Sequence, residues 1–247
     1  MLEVYFLMIK TSVDFISDTD KQKLLSDYKE RYHQYGYSPK TLGWDKGKQD
    51  IRFEILTSQF ELENKKILDL GCGFGDLNSY LKNKGIHNYE YLGVDIVDEL
   101  IKEARVRNSL NKQAKIEYVC EDFLKKEFHE SFDYVISSGV FNRKFSGELD
   151  NYTFILKCLD KAFNLCRGGV AFDFLSDRVD YQYQHTFHSS PMKILEMAYK
   201  LSRNIILRND YMPFEFSIVI FKDDSFSKED TLFTKYKNSK YGYYQDK

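Results

Sequence analysis

The 247-residue sequence predicts an α/β domain built on a mostly parallel β-sheet with helices packed on its faces. Three observations carry that prediction. From residue 66 onward, short β-branched runs alternate with amphipathic stretches, the pattern of repeated βαβ units. Those runs are continuously apolar, which suits strands covered on both sides. The first of them, KILDLGCGFGD, passes from a strand through three glycines at alternate positions straight into a helical pattern.

In chain order, Asp18 or Thr19 is placed to cap a helix through DKQKLLSDYKERYHQYG, where Leu24, Leu25, Tyr28 and Tyr32 recur at helical spacing and Gly36 suits the stop. YSPKTLGWDKG reads as a loop. KQDIRFEILTSQF reads as a second amphipathic helix, with Ile51, Ile55 and Phe60 along one side and Arg52 and Glu54 facing another way. Strands follow in KILDL, EYLGVD, KIEYVC, FDYVIS and GVAFDF, with helical patterns between most of them. NIILRN and EFSIVIFK are separated only by DYMPFE. Two strands joined that closely pair antiparallel, which predicts a terminal hairpin on the sheet. Residues 222–247 drop most aliphatic side chains while keeping charge and tyrosine, and read as a mobile or partner-contacting tail. The expected organisation is a helical lid segment at 1–63, a core at 64–221 and the tail at 222–247.

Charge narrows the function classes. The 36 basic and 38 acidic residues give a net charge of -2 with neither sign gathered into blocks, so no broad footprint for nucleic acid is visible. The opening MLEVYFLMI carries Glu3, lacks a basic leading region and a small-residue cleavage site, and is too short to span a bilayer; Met8 is an alternative start. No later stretch approaches a transmembrane length, and a protein without membrane insertion is expected. Cys72, Cys120, Cys158 and Cys166 form no C-x-x-C pair and read as reduced thiols of a cytoplasmic protein. Nothing in the sequence sets an oligomeric state.

The glycine turn carries the chemistry. Without Cβ atoms, its backbone N–H groups can approach a bound ligand at the start of a helix. A dinucleotide turn, G-x-G-x-x-G, requires its third glycine at position 76, where Asp76 stands instead. Asp95 closes the next strand, about 20 residues on, where a carboxylate can accept from both ribose hydroxyls. Asp122 closes the third, placed to accept from an adenine amino group with Phe123 near the ring. Three strand ends thus converge on an adenosine. Asp133 precedes its strand and is assigned to the strand start, outside the site.

Through ILDLGCGFGD, YLGVDI, CEDF, FDYVISSGVFN and CRGGVAFDFLS, in that order, residues 64–221 resemble the class I S-adenosylmethionine-dependent methyltransferases. The resemblance implies a Rossmann-like seven-stranded methyltransferase sheet whose last strand is antiparallel, S-adenosyl-L-methionine as cofactor and S-adenosyl-L-homocysteine as product. It also implies that Gly71, Cys72, Gly73 and Gly75 line the methionine portion, that Asp69 lies near its ammonium, that Asp95 and Ile96 meet the ribose, and that Asp122 and Phe123 meet the adenine. Segments of the type YGYSPKTLGWDKGKQDIRF and LRNDYMPFEF are similar to those of a bacterial small-molecule tailoring subgroup associated with surface-glycan loci.

The acceptor side is expected after the fourth strand. SSGVFNRKF places Ser138 by the sulfur end of the ligand and Phe141, Asn142, Arg143 and Lys144 on the loop beyond. That loop lacks the N-P-P-Y or D-P-P-Y segment with which DNA amino-methyltransferases hold a flipped base, and a nucleic-acid acceptor is disfavoured. His185 and His188 have helical metal spacing without a third ligand nearby, so no metal is expected, and His185 is a candidate general base or pocket liner. Tyr211 and Glu215, aimed by Pro213, are further catalytic candidates. Trp44, Lys48, Gln49 and Arg52 suit a lid over the cofactor. An alcohol acceptor needs a base such as His185 or Glu215, whereas a phosphate or carboxylate oxygen is already ionised and suits Arg143, Lys144 and Arg178. The expected activity is O-methylation of a sugar, sugar acid or phosphate- or phosphoramidate-linked capsule precursor. The alternatives are N-methylation of an amino sugar and a non-catalytic cofactor-binding regulatory subunit.

Overall fold

In a computed structural model, which describes residues 16–43, 48–108, 115–146, 151–226 and 231–237, the apolar runs become one sheet of seven strands. These are β1 (Lys65–Leu70), β2 (Tyr89–Asp95), β3 (Lys115–Cys120), β4 (Phe132–Ser137), β5 (Cys166–Leu175), β6 (Ile205–Arg208) and β7 (Glu215–Phe221). Their order is β3-β2-β1-β4-β5-β7-β6. β1 to β5 run parallel, and β7 lies antiparallel to both β5 and β6. The hairpin inferred from the short DYMPFE connection is therefore present, as is the resemblance's antiparallel last strand.

The helices are α1 (Asp18–Tyr35), α2 (Gln49–Thr57), α3 (Asp76–Asn83), α4 (Asp98–Asn108), α5 (Asn151–Leu165), α6 (Pro191–Tyr199) and the short α7 (Thr234–Lys237). Alternation along the strands divides the core in two. Ile67, Ile136, Ala171 and Val219 pack with Phe53 and Leu56 of α2, Leu77 and Leu81 of α3, and Ile101 and Ala104 of α4. Leu68, Val135, Val170 and Ile218 pack with Ile155 and Leu159 of α5 and Ile194 and Ala198 of α6. No helix among the described residues is long and apolar enough to cross a membrane.

Register brings the strand ends to one edge. Leu70 lies opposite Val94 of β2 and Ser137 of β4, Asp95 opposite Cys120, and Ser137 opposite Phe172. Because β7 is antiparallel, its first residue, Glu215, pairs with Leu175 at that same edge. Chain order reverses between β1 and β4, the switch point where open α/β sheets leave a crevice. Asp133, at the other end of β4, accepts from the Lys66 N–H at 2.8 Å and ties two strand starts together.

Two expectations for the helices are corrected. Ser17, one residue before the expected caps, accepts from the Asp20 N–H at the start of α1, while Gly36 ends the helix as expected with its N–H on the Tyr32 carbonyl. In α2 the buried side is Arg52, Phe53, Ile55 and Leu56, whereas Ile51 is exposed and Phe60 lies beyond the helix, stacked on Tyr134. The buried position of Arg52 reflects a partner distant in sequence, described below. Of the tail, residues 223–226 are fastened to the body: Asp223 gives its carbonyl to Asn204, and the Arg203 guanidinium lies 5.0 Å from the Phe226 ring centre.

Beneath the glycine turn, Asn78 of α3 is fully buried and saturated. Its amide donates to Asn108 at 2.6 Å and to Tyr118 at 3.2 Å, and it accepts from Tyr89 at 2.6 Å. Tyr118 reaches so far under the turn that a Cβ on Gly75, whose φ is +75°, would lie 2.5 Å from its hydroxyl. Gly75→Ala is expected to lower unfolding free energy by about 1–3 kcal/mol through overpacking, read from urea denaturation. A loss below the error of that measurement would show that Tyr118 can move aside.

Candidate active site

The glycine turn is held by its neighbours' backbone. Gly71 and Cys72 donate to the Val94 carbonyl at 2.8 and 3.2 Å, and Gly75 donates to Cys72. Cys72 is buried, with its sulfur against Gly93, so it serves as a small packing residue. Asp95 completes the turn from β2. Its two oxygens accept from the N–H groups of Gly73 and Val97, both at 2.9 Å. Burial raises the Asp95 pKa, against the lowering effect of those N–H groups and that of Ile96. At the end of β1, Asp69 is buried and accepts from the Tyr91 hydroxyl. Burial pushes its pKa up to about 7, opposed by Tyr91 and assisted by Asp95 and Asp76.

α1 forms a roof over these strand ends. Its Leu24, Leu25, Tyr28 and Tyr32 pack with Phe74, Ile96, Val97 and Leu100, and Leu42 joins them from the following loop. A Cβ on Gly73 would lie 3.2 Å from Leu42. Lys21 extends to Asp122 at 3.2 Å, while the other Asp122 oxygen accepts from the Leu124 N–H at 3.1 Å. Tyr28 is half-buried, and desolvation followed by the charge of Asp95 raises its pKa. Of the residues expected in a lid, Lys48 and Arg52 do not lie over these strand ends, where α1 packs instead. Trp44 lies outside the described residues, and Lys48 is exposed at the start of α2.

Arg52 turns to the other half of the edge. It clasps Glu215 of β7 with two guanidinium donors, Nε lying 2.6 Å from Oε2, and both side chains are buried. This corrects two expectations: Arg52 is an internal counter-ion, and both Glu215 oxygens are engaged, which removes Glu215 as a free base. Beside the pair, Asp173 of β5 accepts from the Ser138 hydroxyl and the Gly139 N–H, each at 2.6 Å. Burial pushes the Asp173 pKa up to about 6, with Arg52 lowering it and Glu215 raising it. Tyr211 holds its buried hydroxyl near the same acids and the Ser217 hydroxyl, without a hydrogen bond of good geometry. Burial, then Asp173 and Glu215, drive its pKa far upward, so Tyr211 is suited to donate and not to act as a base.

The remaining predicted residues divide. Phe123 is buried with its ring against Phe128, and Phe141 is stacked between Phe172 and Phe174. Both are core residues because apolar neighbours of the sheet cover them, which corrects their expected contact with ligand. Asn142 is a loop clamp, its Oδ1 accepting from the Leu175 N–H at 3.0 Å. Arg143 pairs with Asp27 of α1. Lys144 is exposed and donates its N–H to the His185 carbonyl at 3.1 Å, which brings the loops after β4 and β5 together. The His185 ring is exposed and stacks on Tyr183, and Arg178 is exposed beside Asp177. His188 uses one ring nitrogen on the Ser176 carbonyl and the other on Thr186. Among the described residues, no three His, Cys, Asp or Glu side chains are grouped to hold a metal ion. Sequence reading missed Asp173, whose signal was an acid inside the apolar run GVAFDF.

Two measurements follow. Removing either member of the buried Arg52–Glu215 pair strands the other charge, so Arg52→Met or Glu215→Gln is expected to lose about 3–5 kcal/mol in urea unfolding, with the Arg52→Met/Glu215→Leu double variant recovering part of it. Full additivity of the two losses would contradict the pairing. Asp69 and Asp173 have folded pKa values of about 7 and about 6, above the ordinary carboxylate value of 3.8. The folded state therefore holds more protons between those values, and its stability falls as pH rises through them. Melting temperature should accordingly drop from pH 5 to pH 8, and less so in Asp69→Asn; an unchanged slope in that variant would remove Asp69 as the source.

Comparison with known proteins agrees with this geometry. Residues 61–214 match the methyltransferase domain family model. A Mycobacterium tuberculosis protein named as a methyltransferase is 28% identical over 160 residues, covering 63% of this chain and 92% of that protein. The ubiquinone biosynthesis O-methyltransferase of Neisseria meningitidis serogroup C is 34% identical over 88 residues, 34% of this chain and only 36% of its own length. Magnesium protoporphyrin IX methyltransferase from Synechocystis, solved with bound S-adenosylmethionine, superposes with a TM-score of 0.58 at 13% identity, over 86% of this chain and 99% of that one, a likeness of fold. With the glycine turn, the strand-end acids and a family match across most of the sheet, the chain belongs to the methyltransferase domain family and is a class I S-adenosylmethionine-dependent enzyme.

Proposed function

We propose that this methyltransferase transfers the methyl group to an oxygen of a small anionic acceptor: a sugar acid or a phosphate- or phosphoramidate-linked sugar of the kind used in surface polysaccharide. The cofactor half of this reading rests on one observation, the Asp95 carboxylate bonded to Gly73 of the turn. A carboxylate has about four lone-pair positions, so these backbone bonds fix its direction and leave capacity for vicinal hydroxyls. Bound there, S-adenosylmethionine supplies a methyl group already activated on a sulfonium. The chain's task is then to bind, align and exclude water. In this reading Gly71, Gly73 and Gly75 present backbone to the methionine end, Asp69 meets its ammonium, Asp95 and Ile96 meet the ribose, Asp122 meets the adenine, and α1 keeps water out.

The acceptor half rests on the scarcity of free bases. Glu215 is held by Arg52, and Tyr211 stays neutral. An oxygen that is already ionised needs no base, and Arg143, Lys144 and Arg178 on the loops after β4 and β5 supply positive charge for it. A neutral alcohol would instead depend on His185. Reduced thiols and a near-neutral charge balance along the sequence fit a cytoplasmic enzyme with a small-molecule acceptor and no nucleic acid.

Calorimetry tests the cofactor half. S-adenosylhomocysteine should bind, and Asp95→Ala should weaken it on the order of 10–100-fold, as expected for lost hydrogen bonds to a charged group. An ammonium beside Asp69 lowers that carboxyl's pKa, so binding at pH 7 should release protons, seen as a heat that varies with the ionisation enthalpy of the buffer. Binding without proton release would displace the ammonium from Asp69. Turnover to S-adenosylhomocysteine with nucleotide-activated sugar acids and sugar phosphates, against neutral sugars, tests the acceptor half; preference for the neutral set would overturn it.

A further inference from the structure

α1 carries two neighbouring stripes, each repeating after seven residues, nearly two helical turns. Asp20 and Asp27 make the first. Asp20 accepts from the Ser146 N–H at 3.0 and 3.2 Å and from its hydroxyl at 2.7 Å, and Asp27 takes the Arg143 guanidinium. Both partners lie on the acceptor loop after β4. Lys21 and Tyr28 make the second stripe, one residue around the helix. Lys21 meets Asp122, and half-buried Tyr28 lies within the electrostatic reach of Asp95. Both of these partners are cofactor-side acids. Leu24 and Leu25 pack beneath α1, so the two rows are borne by one anchored element.

We propose that Lys21 and Asp27 are positioning residues that make the two halves of the site interdependent. Lys21 sets the carboxylate offered to the adenine, and Asp27 sets the guanidinium offered to the acceptor. A shift of α1 when the adenosine side fills is transmitted to Arg143 and Ser146, and linkage requires the reverse effect of equal size. The inference rests on the cofactor reading above, with S-adenosylhomocysteine as the probe.

Amide hydrogen exchange of residues 139–146, with and without saturating S-adenosylhomocysteine, tests it. In the wild type the probe should slow exchange there by roughly fivefold or more, the lower end of ordinary coupling between sites. Asp27→Asn, and Arg143→Gln from the opposite side of the same bond, should bind the probe yet lose that added protection. Lys21→Met should lose it as well. Lys29→Ala, which removes an ion pair from α1 to Glu99 of α4 and touches neither row, should retain it. Thermal melts identify any variant that fails to fold, and the pair of substitutions across one bond provides a second route. Full protection in Asp27→Asn and Arg143→Gln, or none in wild type despite bound probe, would overturn the proposal. Absence of probe binding by wild type would instead overturn the cofactor reading.

Discussion

Carboxylates withdrawn from water beside one another are unfavourable unless each finds donors, and that constraint governs this edge of the sheet. Asp69, Asp95 and Asp173 are acids at or near the ends of β1, β2 and β5. Each has a dedicated answer: the Tyr91 hydroxyl, the Gly73 and Val97 N–H groups, and the Ser138 hydroxyl with the Gly139 N–H. Parallel register makes the problem unavoidable, because it stacks the strand ends at one level. The same register also turns the problem into a site, since donors that fix these acids also fix the turns around them.

The two halves of the edge solve the charge problem differently. Around the glycine turn, Asp95 and Asp122 are answered by backbone and by α1, arrangements that leave lone pairs on both. Across β5 and β7 the answer is an internal cation: Arg52 neutralises Glu215 and lowers the pKa of its neighbour Asp173. That pair is closed on itself, whereas the cations of the overlying loops, Lys144 and Arg178, remain exposed. Exposed positive charge at this edge therefore lies on the loops and not on the floor.

Much of this was legible in the sequence where the signal is local. Strand runs from KILDL to EFSIVIFK were bounded to within a few residues, because continuous apolar runs and short connections are properties of neighbouring positions. Asp95, which ends β2, and Asp122, two residues beyond β3, were legible for the same reason. What escaped depends on distant partners. Arg52 reads as an exposed helical position until Glu215, 163 residues later, is placed against it. Phe123 and Phe141 follow strand ends and read as ligand-facing, but whether a ring points to the crevice or the core depends on helices from elsewhere in the chain. Asp173 was visible as an oddity in an apolar strand, while its partners at Ser138 and Gly139 belong to another strand's turn.

The roof has a consequence for how the molecule assembles. α1 is among the first segments of the chain, yet Lys21, Arg143 and Ser146 close contacts spanning 101, 116 and 126 residues. Such long loops carry a large closure entropy, which the packing of α1 on the sheet edge offsets. Local strand and helix pairs, which close shorter loops, are entropically favoured to form before α1 docks. The apolar stripe of Leu24, Leu25 and Tyr28 finds its cover once Phe74, Val97 and Leu100 are in place, whereas the polar contacts of α1 wait for Arg143 and Ser146.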